Sequence, residues 1–236
     1  MLNKVQVQIV AAVTVLVFAI GIIVSGGHVE SSWLRFYSFA AIAAVVVLTL
    51  WNRWVWRWRI SQRVHVVPCD LNGTWTGTLD SQWHDPDSGS AVGSKPAFLV
   101  IRQTASHLSA TMHTDEMRSV STLANVASFD DMTTVDYIYV SSPASRVEHR
   151  SRMHRGATAL DITGRPATRL HGRYWTDRDS RGELDFRERV SKHADDYESA
   201  SELFKQEQDP SNARWRGRRP RSHGRRSRRE TRSHGG

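Results

Sequence analysis

The feature that most limits the possible folds is a series of short alternating segments across residues 71–190. Residues 71–83 set the pattern, because Trp75 and Gly77 fall on one side of an extended chain while threonines fall on the other. A strand that is buried on one face has this period of two. Between the segments there is no long helical pattern of the kind that a crossover connection needs, so a parallel βαβ sheet is not expected.

Further segments of the same kind follow, each bounded by turn-forming residues. They are residues 97–104, 107–114, 118–126, 134–141, 157–163, 169–176 and 183–190. About eight antiparallel strands fit either a β-barrel or a β-sandwich. We predict a compact, lipocalin-like eight-stranded barrel, because a barrel of about eight strands either fills its interior or holds one small ligand. The strand faces that we take as inner also carry polar and aromatic groups.

The alternation groups side chains by strand face, which gives candidates for the barrel interior, but it does not show which face of each strand is the inner one. The candidates are Arg102 with Phe98 and Val100, Tyr137 with Tyr139, and Tyr174 with Thr176. A shift of one residue moves every side chain of a strand to its other face. Tyr137 and Tyr139 therefore lie either in the cavity or on the outer face, with Ile138 and Val140 inside in the second case.

The sequence carries no catalytic motif of a familiar kind. It has no Walker loop, no G-x-S-x-G elbow, no H-E-x-x-H and no paired-Asp metal motif. The histidines are scattered, and the five-residue spacing of His149 and His154 suits neither one face of a helix nor one face of a strand. We therefore predict a non-enzyme without a metal or a cofactor.

What remains is a binding module whose side chains suit a nucleotide-like ligand. Arginine matches a phosphate with two parallel donors, and aromatic rings stack on bases. The candidate ligand-binding residues are Trp75, Arg102, Tyr137, Tyr139, Tyr174 and Arg178, with Thr114, Ser119 and Ser121 as further polar candidates. For each of them, ordinary core packing or a surface salt bridge is the alternative.

Two apolar runs precede the alternating segments. The run from Val5 to Val24 has no charged residue, and about 20 residues of helix cross a hydrocarbon core of about 30 Å. The run from Arg35 to Trp54 continues into a Trp/Arg-rich segment, residues 51–59, whose composition is typical of a membrane interface. A cleavable signal peptide is the alternative for the first run. Binding of single-stranded nucleic acid is the alternative for the Trp/Arg-rich segment.

The basic residues near these runs indicate their orientation. Lys4 precedes the first run, the connector 25–32 has no lysine or arginine, and several arginines follow the second run. These arginines are Arg53, Arg57, Arg59 and Arg63. The positive-inside rule then places both termini in the cytoplasm. The single cysteine, Cys69, excludes an intramolecular disulfide and fits a reducing compartment.

The end of the chain holds all of the net charge. Residues 209–236 contain ten arginines against Asp209 and Glu230, which accounts for the whole charge of +8. A globular fold with a basic nucleic-acid-binding face is therefore not expected, and the tail is predicted to be disordered. Its favoured role is adhesion to anionic membrane lipids, ahead of nucleic acid binding. Residues 194–206 show the pattern of a short amphipathic helix that closes one mouth of the barrel or packs against a partner.

The order of several sequence stretches behind the two apolar runs resembles that of a known family. The stretches are residues 70–77 (DLNGTWTG), 136–143 (beginning DYIY), 154–160 and 170–184. They resemble the two-transmembrane, β-strand-rich (SMODS-associating) effectors of bacterial CBASS antiphage operons, which are STING-like membrane β-barrel receptors for cyclic dinucleotides. Lipocalin-like barrels share the G-x-W-x-G start, and the Arg-rich tail is not part of the resemblance.

The resemblance implies a cyclic dinucleotide ligand made by a CD-NTase. The resemblance further implies that binding promotes homo-oligomerisation and that the transmembrane helices then disrupt the bacterial inner membrane, which would cause abortive infection. The predicted division of the chain is a membrane anchor at 1–60, a cytoplasmic ligand-binding barrel at 61–190, a short helix at 191–208 and the tail at 209–236. The alternatives are a constitutive membrane-anchored protein whose barrel holds a lipid or no ligand, and a membrane tether for nucleic acid.

Overall fold

The computed structural model describes residues 4–24, 33–64, 67–82, 93–129, 132–149 and 151–208. Its centre is a barrel of eight strands. The strands are β1 (Gly73–Ser81), β2 (Lys95–Gln103), β3 (Leu108–His113), β4 (Met117–Phe129), β5 (Met132–Pro143), β6 (His154–Thr163), β7 (Arg169–Thr176) and β8 (Arg181–Val190).

Each strand pairs antiparallel with its neighbour in the chain, and β1 pairs with β8, so the ring is closed. The predicted eight-stranded antiparallel barrel is confirmed, and the sandwich alternative is wrong. The predicted outer connector 25–32 and the predicted disordered tail 209–236 lie outside the described residues.

Large apolar side chains fill one half of the barrel. They include Trp75, Leu99, Leu160, Leu170 and Phe186, all with an exposed fraction of 0%. Each such side chain stabilises the fold by about 1.5–3 kcal/mol when it leaves water. This half ends at the β2–β3 and β6–β7 turns, and we call it the helix-side end. The opposite end, where β1, β3, β5 and β7 finish, is called the open end.

A third helix, α3 (Tyr197–Gln208), packs on the outer wall of the barrel. It begins after Asp196, whose carboxylate accepts a hydrogen bond of 2.7 Å from the backbone N–H of Ser199. This is the pattern of a helix N-cap. Phe204 of α3 then stacks on Phe98 of β2, with ring centroids 5.8 Å apart. The predicted short helix is confirmed, but it covers β2 from outside and does not close a mouth of the barrel.

The N-terminal part forms two helices, α1 (Lys4–Val24) and α2 (Trp33–Arg53), which pack against each other. Ala40 and Ala44 lie one turn apart on α2 and are buried, and such small residues let two helices approach closely. Within the described residues, no helix meets the combined length and apolarity required of a membrane span. The predicted runs Val5 to Val24 and Arg35 to Trp54 are thus helical over most of their length, and their crossing of a membrane stays a prediction.

The end of α2 is in contact with the helix-side end of the barrel. Trp56 is fully buried and clusters with Val67 and with Ala105 of the β2–β3 turn. The backbone N–H of Ala105 donates to the carbonyl oxygen of Asn52 at 3.3 Å, and the Ser106 hydroxyl donates to the Asn52 side chain at 2.9 Å. The end of α2 therefore contacts the barrel at the end away from its opening.

The segment between α2 and β1 is held by side chains. Gln62 donates to the carbonyl oxygens of Trp56 and Pro68, at 2.8 and 2.9 Å, and accepts from the backbone N–H of Asp70 at 3.1 Å. Arg165, in the β6–β7 turn, donates to the carbonyl of Gln62 at 2.7 Å, and to those of Val64 and Val67. These bonds attach residues 56–64 and 67–70 to one another and to the β6–β7 turn of the barrel.

Candidate functional site

The open end of the barrel contains a cavity of about 150 Å³. It forms there because the strands finish in serine, threonine and methionine where the helix-side end has large apolar residues. Its lining is apolar at Leu79, Met112 and Met117; carries hydroxyls at Ser81, Thr114, Ser119, Ser141, Ser151, Thr176 and Ser180; is aromatic at Tyr139 and Tyr174; and is ionisable at Lys95, Glu116, His154 and Arg178.

Two tyrosines form the aromatic part of the cavity wall. Tyr139 of β5 and Tyr174 of β7 have exposed fractions of only 2% and 7%. Burial raises the pKa of Tyr139 and also the pKa of Tyr174. Both phenols are therefore protonated at neutral pH, and each can donate a hydrogen bond to a ligand.

A pair of hydroxyls lies beside these rings. Ser119 of β4 and Ser141 of β5 are cross-strand partners, both are buried, and their oxygens are 2.8 Å apart. A serine hydroxyl donates one hydrogen bond and accepts others, and it rotates to suit its partner. The pair can therefore meet either a donor or an acceptor on the edge of a bound molecule.

Charged side chains lie at the rim of the cavity. Lys95, at the start of β2, forms an ion pair of 2.7 Å with Glu116 in the β3–β4 turn. Arg178, in the β7–β8 turn, is exposed and donates to the Ser151 hydroxyl at 3.0 Å and to the Arg152 carbonyl at 3.4 Å. The rim thus carries a cation on each of two hairpins, and one of them, Lys95, is already paired with a carboxylate.

Three of the residues predicted to bind ligand come together here: Tyr139, Tyr174 and Arg178 all line the cavity. Tyr137 also points inward, so the placement of Tyr137 and Tyr139 on the outer face is wrong. It lies deeper, with its ring centroid 5.9 Å from that of Tyr139, and burial raises its pKa to about 12. The further candidates Thr114 and Ser119 line the cavity as well.

Trp75 is inside the barrel but not at the cavity. It lies towards the helix-side end, where its indole N–H donates to the carbonyl oxygen of Leu71 at 2.9 Å. The guanidinium carbon of Arg189 lies 5.3 Å from the centroid of its ring. The contacts of Trp75 are those of a core residue, and its binding role stays a prediction.

The inward orientation predicted for Arg102 is wrong. Arg102 lies on the outer face of β2 with Phe98 and Val100, and it pairs with Asp195 at 3.2 Å in an exposed ion pair. Phe98 and Val100 have the composition of a core because α3 covers this face. Ser121 does not line the cavity either; its hydroxyl accepts from the backbone N–H of Ala110 at 2.9 Å.

Several cavity residues were not identified from the sequence. Lys95, Glu116 and Ser151 lie at strand ends or in connections, where alternation gives no information. For Lys95 and Glu116, a charged residue next to a turn between two strands was the only signal, and such residues are common on exposed turns; Ser151 gave no signal. Within the described residues, no group of three His, Cys, Asp or Glu side chains is arranged to hold a metal ion.

Comparison with known proteins identifies relatives of this domain. Residues 66–188 match the family model described as Cap15, cyclic dinucleotide receptor domain. The chain is also 25% identical over 178 residues to the CD-NTase-associated protein 15 of Staphylococcus schleiferi, over 75% of this chain and 92% of that protein. The matched residues 66–188 include every residue that lines the cavity.

Proposed function

Because this chain belongs to the Cap15 cyclic dinucleotide receptor family, we propose that its barrel binds a cyclic dinucleotide in the cavity at the open end. The protein acts as a receptor and effector of a CBASS antiphage system, and its role is binding rather than catalysis. The observation that carries the proposal is the location of the cavity inside the matched domain, with buried tyrosines in its wall and cations at its rim.

The cavity chemistry is complementary to the parts of such a ligand. A cyclic dinucleotide has two anionic phosphodiesters and two bases. Lys95 and Arg178 supply cations at the rim, where a guanidinium matches phosphate geometry. Tyr139 and Tyr174 supply aromatic surface and phenolic donors, and the Ser119–Ser141 pair supplies hydroxyls for the edge of a base.

The volume of the cavity limits how much of the ligand can enter the barrel. The cavity measures about 150 Å³, whereas sites for drug-sized ligands measure about 300–1,000 Å³. One base and part of its sugar therefore enter the cavity, and the phosphodiesters stay at the rim beside Lys95 and Arg178. This arrangement leaves the second half of the ligand outside the barrel, where a second subunit can contact it on oligomerisation.

The proposal includes a bacterial inner membrane location with both termini in the cytoplasm. Its support is the absence of charge from Val5 to Val24, the Trp/Arg-rich segment 51–59 at the end of α2, and apolar side chains that α1 and α2 leave exposed. The most exposed of these are Val15, Leu16, Ile23, Phe39, Ile42 and Val45. Lipid contact would remove this surface from water. Membrane disruption after ligand-driven assembly completes the proposal, on the family resemblance alone.

Isothermal titration tests the binding function. The full chain, purified in detergent, is titrated with a panel of cyclic di-AMP, cyclic di-GMP and cyclic GMP–AMP. We expect saturable binding of at least one member, with the linear dinucleotide as the matched control that binds more weakly. Binding of no cyclic dinucleotide by a folded chain, together with lipid recovered from the barrel, would instead support a constitutive lipid-binding protein.

A further inference from the structure

The cavity rim contains a carboxylate that competes with the proposed ligand for a cation. Glu116 is the one acidic side chain among the residues that line the described cavity, and its carboxylate lies 2.7 Å from the ammonium of Lys95. The two side chains have exposed fractions of 22% and 30%, so the pair is partly withdrawn from solvent. Charges in such a position are screened less than those of a surface pair.

The backbone of Glu116 is fixed on both sides. The β3–β4 turn is closed by hydrogen bonds between Thr114 and Met117, and the carbonyl oxygen of Glu116 accepts from the backbone N–H of Ala144 at 2.8 Å. Arg146 donates to the carbonyl oxygen of Asp115 and lies 3.8 Å from its carboxylate. The carboxylate of Glu116 is therefore presented to Lys95 by an anchored turn.

The remaining rim charges make this pair important for an anionic ligand. The turns that carry Glu116 and Arg178 lie on opposite sides of the closed ring, since four strands separate them in the barrel order. The formal charges of Lys95 and Glu116 cancel. Arg178 is then the cation at the rim that has no carboxylate partner among the residues lining the cavity. A ligand with two phosphodiesters needs the second cation as well.

We propose that Glu116 acts as a built-in competitor for the phosphate at Lys95. It holds the ammonium in the unliganded protein, and the phosphate of the ligand takes its place on binding. The inference rests on the proposed function, because it concerns the regulation of the same cavity. Its consequence is that the receptor binds more weakly than its cations allow, which raises the ligand concentration needed for activation.

The test uses the full chain in detergent and the cyclic dinucleotide that the wild type binds most tightly in the panel above. Glu116→Gln keeps the shape of the side chain and removes its charge. We expect it to tighten binding about tenfold, which corresponds to about 1.4 kcal/mol. The matched control is Glu183→Gln, which removes a carboxylate on the outer wall that is 53% exposed and pairs with Arg173 at 4.0 Å; its affinity should stay within twofold of the wild type.

A double substitution separates competition from a structural effect. Lys95→Met should weaken binding, and Lys95→Met with Glu116→Gln should bind as Lys95→Met does or tighten it less than twofold, because no ammonium remains to be released. If Glu116→Gln binds no tighter than a wild type that does bind, the inference is wrong while the receptor function stands. If neither the wild type nor Glu116→Gln binds any cyclic dinucleotide, the proposed function itself fails.

Discussion

The ring of Tyr139 lies over Gly156, its cross-strand partner on β6. A Cβ atom at position 156 would lie 2.5 Å from the ring carbon Cζ of Tyr139 and 2.7 Å from the carbonyl oxygen of Trp175. Only a residue without a Cβ lets the tyrosine take this position against the barrel wall. The shape of the cavity wall therefore depends on Gly156 as much as on the tyrosine.

Gly156→Ala should consequently damage the cavity. The added methyl group moves the Tyr139 ring out of the wall, and overpacking of this kind costs about 1–3 kcal/mol of folding stability. We expect a lower unfolding midpoint and cyclic dinucleotide binding weakened at least about tenfold, a factor that corresponds to about 1.4 kcal/mol. Gly93→Ala is the matched control, since its Cβ would meet nothing within 4 Å. Equal stability and affinity in the two variants would contradict this account of the wall.

Arg178→Ala and Arg102→Ala should differ in their effect on binding. Arg178 is at the cavity rim, whereas Arg102 is on the outer wall beside α3. A hydrogen bond to a charged group is worth about 1.5–3 kcal/mol, so the loss of Arg178 should weaken binding by roughly ten- to a hundredfold. Titration of both variants measures this. Weaker binding by Arg102→Ala with unchanged binding by Arg178→Ala would place the ligand elsewhere.

Asp185 should make the stability of the barrel depend on pH. Its carboxylate accepts hydrogen bonds from Arg169, at 2.7 and 3.1 Å, and from Arg187 at 2.9 Å. The hydrogen bonds from Arg169 are the main cause that lowers the pKa of Asp185 to about 2. Because this pKa is lower than in the unfolded chain, where it is about 3.9, the stabilisation is complete above about pH 5 and is lost as the pH falls towards 2.

Asp185→Asn therefore should be less stable than the wild type at pH 7, and the difference should shrink by pH 3. Denaturant unfolding at both pH values measures it. The exposed carboxylate of Glu183 supplies the control, because Glu183→Gln should change stability little at either pH. A difference that stays constant from pH 7 to pH 3 would rule out this origin of the pH dependence.

Arg165→Ala should loosen the connection between the helices and the barrel. The substitution removes the hydrogen bonds to the carbonyls of Gln62, Val64 and Val67. A hydrogen bond from a charged donor contributes about 1.5–3 kcal/mol, so its loss should make opening of this segment at least about tenfold more frequent. Trypsin should then cleave after Arg57, Arg59 or Arg63 correspondingly faster. Arg173→Ala, which alters an exposed outer-wall pair, should leave the cleavage rate unchanged.

Much of the barrel could be predicted from the sequence because its strands alternate clearly. The predicted segment 169–176 coincides with β7, and most other strands differ by a few residues at their ends. β2 shows the limit of this reasoning. Its inner face packs in the core and its outer face packs under α3, so Phe98 and Val100 are buried as well as Leu99 and Ile101. A strand that is buried on both faces does not reveal its orientation, and Arg102 was assigned to the wrong side.

Only part of the cavity was predictable, at some of the residues that lie within strands. Tyr139 and Tyr174 alternate with outward-facing neighbours and are among the predicted ligand-binding residues, although the sequence alone left open which face of β5 is inner. Lys95 and Glu116 meet because neighbouring strands end at the same rim, a relationship that depends on strand register and turn geometry. The spacing of residues along the sequence shows neither the strand register nor the turn geometry. The ion pair could therefore be found only in the folded chain.

Hydrogen exchange of the full chain, with and without a saturating cyclic dinucleotide, tests the central claim most directly. We predict slower exchange in the backbone around the cavity, at residues 112–119, 151–154 and 176–180, because these segments contain much of its lining. Exchange at the helix-side end, in residues 104–108 and 164–168, should change little. Slower exchange confined to the outer wall around Arg102 and α3, or no change anywhere at saturating ligand, would contradict binding at the open end.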